Sequence, residues 1–169
     1  MKQAIKKNSV KPEKKTDVIS YTFNGMSIRR FNLIEPGIDI TTGFDTQNLK
    51  VGTNIDFAFN MEQNGFQVIF SLGYQYDLKG SLISLLELVV LSDFVIKDMK
   101  NVVEIRNEAV HIPDELLINL VRITYSSIRG IVFAKTQGSY LNKFILPLID
   151  PGALIRKKLD SYRTGATKE

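Results

Sequence analysis

The sequence predicts an α+β domain: a four-stranded antiparallel sheet backed by one long and one shorter C-terminal helix. Three observations predict it. Segments with period-two apolar alternation all lie before Lys97, the one long segment with helical spacing lies after it, and turn-like breaks join the strands. Residues 1–17 are Lys-rich with few apolar side chains and read as a disordered basic arm; 18–163 read as one domain and 164–169 as a disordered tail.

The first apolar runs, Ile19, Tyr21 and Phe23, then Met26, Ile28, Phe31 and Leu33, flank Asn24-Gly25, a strong hairpin signal. Glu35-Pro36-Gly37 ends that region, and a short Ile38-Asp39-Ile40 run precedes a polar loop. Better strands follow. Val51 to Met61 alternates through Ile55, Phe57 and Phe59; Gly65 to Asp77 through Phe66, Val68, Phe70, Leu72 and Tyr74; Leu82 to Ile96 is more continuously apolar. Gln63-Asn64-Gly65 and Asp77 to Gly80 read as tight turns, so these strands run antiparallel.

After a polar connection from Lys97 to Asn107, the stretch Asp114 to Gly138 reads as the long helix. Leu116, Leu120, Ile123, Ser127 and Ile131 form one stripe, and Leu117, Val121, Ile128 and Val132 a second beside it. So wide an apolar surface calls for cover on two sides. Pro113 and Asp114 mark the start, Lys135 and Gly138 the end. Ser126, Ser127 and Gly130 are small, and a mid-helix Gly costs about 1 kcal/mol relative to Ala, so another backbone is expected to approach there. Phe144 to Ile149 then reads as extended, and a second helix runs from about Gly152 to Tyr162.

Composition narrows the function classes. A hydrophobic fraction of 44% and a charged fraction of 24% are globular values. Cysteine is absent, which removes disulfides, thiolate zinc sites and cysteine nucleophiles. The N-terminus lacks the apolar run of a secretory signal, and the longest apolar run, Leu82 to Val90, is interrupted by Ser84 and Glu87. The expectation is a soluble cytoplasmic protein without a membrane span. The net charge of +4 comes from the ends, Lys2 to Lys15 and Arg156 to Arg163, where no aromatics are interleaved among the lysines to stack on bases. No specific nucleic-acid binding is expected.

Catalytic chemistry has little to stand on. His111 is alone, Glu104 and Glu108 read as a solvated face, and no phosphate loop, metal-ligand pair or nucleophile elbow occurs. A non-enzyme without metal or cofactor is expected. The surplus of apolar surface points to a polypeptide partner or a second copy.

The segment Leu82-Ile-Ser-Leu85-Leu-Glu87-Leu-Val-Val-Leu-Ser-Asp-Phe94-Val-Ile96 resembles the third strand of the SecB export chaperones, with Leu-x-Glu and then Phe-x-Ile. The helix with Tyr125, Arg129 and Gly130, then Gly138 and Phe144 to Pro151, is similar to that family's long helix and the stretch after it. The resemblance covers about Phe66 to Leu154. It implies an ATP-independent holding chaperone, a homotetramer with long helices between its sheets, binding unfolded polypeptides in grooves between sheet and helices. Phe57, Phe59, Val89, Leu91 and Phe94 are the expected peptide-binding residues, Leu85 and Glu87 match partner-docking positions, and Leu120, Ser127, Gly130 and Ile131 are the expected oligomer interface. The family docks on the SecA translocation motor through an acidic surface; this chain is net basic, and Val89, Val90 and Leu91 stand where polar neighbours are expected. Two alternatives stay open: a SecB-like chaperone dedicated to one client such as an antitoxin, and an α+β protein binding a small apolar ligand.

Overall fold

The computed structural model describes residues 19–34, 44–106, 109–156 and 158. The expectations for the basic arm, the Ile38 to Ile40 run, the end of the second helix and the C-terminal tail lie outside these residues. Four strands, β1 (Tyr21–Leu33), β2 (Leu49–Asn60), β3 (Gly65–Leu78) and β4 (Ser81–Ile96), form one antiparallel sheet in the order β1-β4-β3-β2. β4 and β3 are therefore central, and β1 and β2 are the edges.

The joints follow from local chemistry. Lys79 and Gly80, both with positive φ, make the two-residue loop between paired Leu78 and Ser81, as a hairpin with right-handed strand twist requires. Asp77 accepts from Gly80 N–H at 2.8 Å and pairs with Lys50 at 2.9 Å. The Lys50 hydrogen bond first, and the Gly80 N–H second, hold the Asp77 carboxyl below the usual carboxylate range. Between β2 and β3, Asn64 takes the left-handed conformation, and its carbonyl accepts from Ile96 N–H at 2.9 Å.

Asn24-Gly25 is a bulge and not a hairpin. Phe23 pairs with Phe94 and Met26 with Ser92 along the same β4 strand, so the extra residue is absorbed where the register shifts. The 16-residue β4 is long enough to pair with both apolar runs, and that pairing outweighs the local turn preference. The segment Leu82 to Ile96 is accordingly part of the fourth strand, β4.

The connection after β4 is more ordered than its polarity suggests. It holds a short helix, α1 (Met99–Val102), and a small antiparallel pair, β5 (Glu104–Arg106) with β6 (Ala109–His111). Met99 and Val103 are buried in the core, and Met99 N–H donates to the Asn64 side chain at 3.2 Å.

The long helix, α2 (Asp114–Lys135), lies over β3 and β4, with the Tyr125 ring 5.7 Å from that of Phe70. Asp114 and Glu115 occupy its first turn, where free N–H groups favour negative charge, and Lys135 its last. Gly138 supplies the left-handed residue after it. By length and hydropathy α2 also meets the requirement for crossing a bilayer, contrary to expectation, because its two apolar stripes together make a 22-residue helix apolar on average although polar residues interrupt every run. Its apolar residues have another use: Leu116, Leu117, Leu120, Val121, Thr124, Tyr125, Ile128 and Val132 are buried within the protomer.

Alternation along the strands separates two sheet faces. Phe66, Val68, Phe70, Leu72 and Tyr74 of β3 and Leu88, Val90 and Phe94 of β4 are buried on the face under α2. This is the inner face. Among the described residues, the buried hydroxyls of Tyr74, Ser92 and Thr124 have no hydrogen-bond partner. Burial, and then the nearby Tyr125, push the Tyr74 phenol far above the ordinary tyrosine range.

Beyond α2 the chain turns through Tyr140–Lys143 and runs back along the helix. Tyr125 Oη donates to the Pro147 carbonyl at 2.7 Å, and Arg129 Nε to the Leu146 carbonyl at 3.0 Å. Residues 151–156 are helical, and Lys158 reaches Asp56 of β2 at 2.9 Å.

Candidate functional site: an apolar groove between β1 and α2

Because α2 covers the two central strands, the inner faces of the edge strands project beyond it. On the β2 side the chain's own C-terminal segment reaches the outer face, where Lys158 bonds Asp56. On the β1 side the inner face carries Tyr21, Phe23, Met26, Ile28, Phe31 and Leu33, each paired with a buried β4 residue, which is apolar in every case except Ser92 opposite Met26. Phe23 is 42% exposed and Ile28 is 40% exposed, high values for large apolar side chains on a core-facing strand surface. Phe23 still leans on Phe94, ring centroids 5.3 Å apart.

The helix supplies the other wall. Ile123, Ser127 and Ile131, the C-terminal half of the first predicted stripe, are only half-buried, whereas Leu116 and Leu120 of the same stripe are fully covered. At one end Lys135 Nζ lies 5.8 Å from the centroid of Phe31, and Tyr140 Oη donates to the Ile34 carbonyl at 2.7 Å. Exposed apolar side chains of the edge strand and half-buried ones of the helix thus border the same core and form the two banks of a candidate trough. Further apolar surface lies on the outside of the helix: Phe133 is 54% exposed, Ile145 70% and Leu148 81%. Among the described residues, the N–H groups of Ile145, Leu146, Leu148 and Ile149 have no hydrogen-bond partner.

The predicted peptide-binding residues do not form one surface. Phe57, Phe59 and Phe94 lie on the inner face, where Phe57 packs on Phe66 at 5.8 Å and Phe94 is buried beneath Phe23 and Tyr21. Val89 and Leu91 lie on the outer face, half-buried, because they alternate with buried Leu88, Val90 and Ser92. The predicted docking pair is divided as well. Leu85 is wholly buried at the β4 register shift and presents no surface, while Glu87 faces outward and accepts from Asn32 Nδ2 at 3.3 Å. Of the predicted oligomer interface, Leu120 is spent in the protomer's own core. Ser127, Gly130 and Ile131 keep surface to offer, and a Cβ added to Gly130 would meet nothing within 4 Å.

Sequence reading missed Phe23, Ile28, Ile145 and Leu148 as exposed groups. The period-two pattern of β1 put Phe23 and Ile28 on an apolar face, but only the strand order shows that face extending past the helix.

The outer face is of mixed charge. Among the described residues its strands carry Asp56, Asp77, Glu87 and Asp93 against Arg30 and Lys50, and Lys158 pairs with Asp56. A shallow depression of about 460 Å³ there has a bare floor where Gly52 pairs with Gly73, bordered by Arg30, Asn54, Gln75 and Glu87. This is not an acidic platform.

Fold and site together define an α+β protein with an open apolar groove beside its long helix. No protein-family profile and no curated protein matches the chain. Among solved structures it is similar to a SecB-like chaperone of Mycobacterium tuberculosis, solved in complex with a peptide from an antitoxin. The identity is 13% and the TM-score 0.45, over 76% of this chain and 90% of that one.

Proposed function

We propose that the protein is a SecB-like holding chaperone that binds extended, non-native polypeptide segments in the groove between β1 and α2, without ATP and in the cytoplasm. The observation that carries this is the exposed apolar lining of an edge strand, Phe23 and Ile28 with Met26 and Phe31, beside the half-covered helix wall of Ile123 and Ile131. Apolar side chains on an open surface select for chains that still expose theirs, and they read little sequence. Folded proteins lack such anchors. The sequence resemblance points the same way. The mixed-charge outer face and buried Leu85 give no support to docking on an export motor, so motor docking is left out of the proposal.

The test is light scattering of a refolding client with stoichiometric protein and no nucleotide. Suppressed scattering, unchanged by added ATP, is expected. A client that aggregates equally with and without the protein ends this reading.

The proposal includes a homo-oligomer, for which a tetramer is the arrangement that the resemblance implies. Ser126 and Gly130, both exposed, leave a small-residue notch on the helix. Replacing Gly130 with Ala in an uncovered helix should add about 1 kcal/mol of stability and leave mass unchanged. If a second chain packs there, Gly130→Ala weakens the assembly instead, which sedimentation velocity reads directly. The second outcome is expected.

A further inference from the structure

We infer that the β1–α2 groove prefers client segments in which an acidic residue flanks the apolar anchors, and that Lys135 determines this preference. The inference rests on the groove being the client site. Lys135 is the last residue of α2, and its ammonium sits over the Phe31 ring where the trough ends. Among the described residues it has no ion-pair partner. Tyr140, tied to the Ile34 carbonyl, closes the same end, and the turn that carries Tyr140 ends in Lys143, exposed and likewise without an ion pair.

Among the described residues, no carboxylate serves that end of the groove. Glu87, paired across to Asn32 near the end of β1, lies on the outer face and is hydrogen bonded there. The helix C-terminus opposes an incoming anion with roughly half a negative charge, and the two full positive charges outweigh it. A carboxylate flanking the apolar anchors would therefore find an unpaired cation beside apolar surface, where screening is weaker than in open water. An isolated ammonium on an aromatic ring gains from such a partner without giving up another. A lysine or arginine at that point in the client would meet like charge instead.

The experiment is fluorescence anisotropy with a short labelled unstructured peptide carrying Leu and Phe anchors, made in three versions that end in Asp-Asp, Asn-Asn or Lys-Lys. For the parent protein the Asp version should bind about three- to fivefold more tightly than the Asn version, and the Lys version more weakly than both. Raised salt should narrow the spread. Lys135→Gln should shrink the gap between Asp and Asn versions, and Lys135→Glu should reverse the order, a change that a purely structural role would not produce. Three peptides that bind equally well would overturn the inference while leaving the groove as client site. If none binds, the groove reading and the inference both fail. A groove filled by a second copy of this chain would show as absent peptide binding with an assembly broken by Ile28→Glu, and that result also removes the inference.

Discussion

Phe70→Ala should destabilise the protein by about 3–5 kcal/mol, read from urea unfolding. The ring is wholly buried, pairs across β3 with Ile55 on one side and Val90 on the other, and meets Tyr125 of α2 at 5.7 Å. Removing it opens a void between the helix and the centre of the sheet. A domain holds only about 5–15 kcal/mol in total, so the variant should sit close to its unfolding midpoint. Val89→Ala, one register position away on the outer face, should cost far less because Val89 is already half in water. Similar losses for the two variants would mean that the assignment of sheet faces is wrong.

Much of this architecture was legible because it is local. β2, β3 and β4 alternate with period two, Asn64 and Lys79-Gly80 carry their turn chemistry in sequence, and α2 announces both ends. The errors share a cause: they concern residues whose state depends on a neighbour distant in sequence. Asn24-Gly25 has hairpin chemistry, yet β4 pairs with both flanks and turns it into a bulge. Val89 and Phe94 are both apolar on one strand, five positions apart and so on opposite faces, and only the packing of α2 shows which face is the inner one. Leu85 looked like a surface position until the register shift at Tyr74 and Gln75 placed it in the core. Likewise Leu120 and Ile131 share a stripe on the helical wheel, but the sheet is wide enough to bury the first and not the second.

The same geometry makes the groove separable from the fold. Phe23→Asp combined with Ile28→Asp should abolish protection of an aggregating client while the circular dichroism spectrum stays that of the parent. Both side chains are on an edge strand and already contact water, so a carboxylate at either place remains hydrated and avoids the large penalty of a buried charge. The cost to stability is confined to lost packing, chiefly Phe23 on Phe94. For a client the loss is larger. Each Val- to Phe-sized anchor is worth about 1.5–3 kcal/mol when covered, and tenfold in affinity is about 1.4 kcal/mol, so removing two anchors should weaken binding by roughly a hundredfold or more. Val89→Asp with Leu91→Asp places the same charges on the opposite face and should leave protection intact. Protection retained by the folded Phe23 and Ile28 variant, or lost in the folded outer-face variant, would move the client site away from the β1–α2 groove.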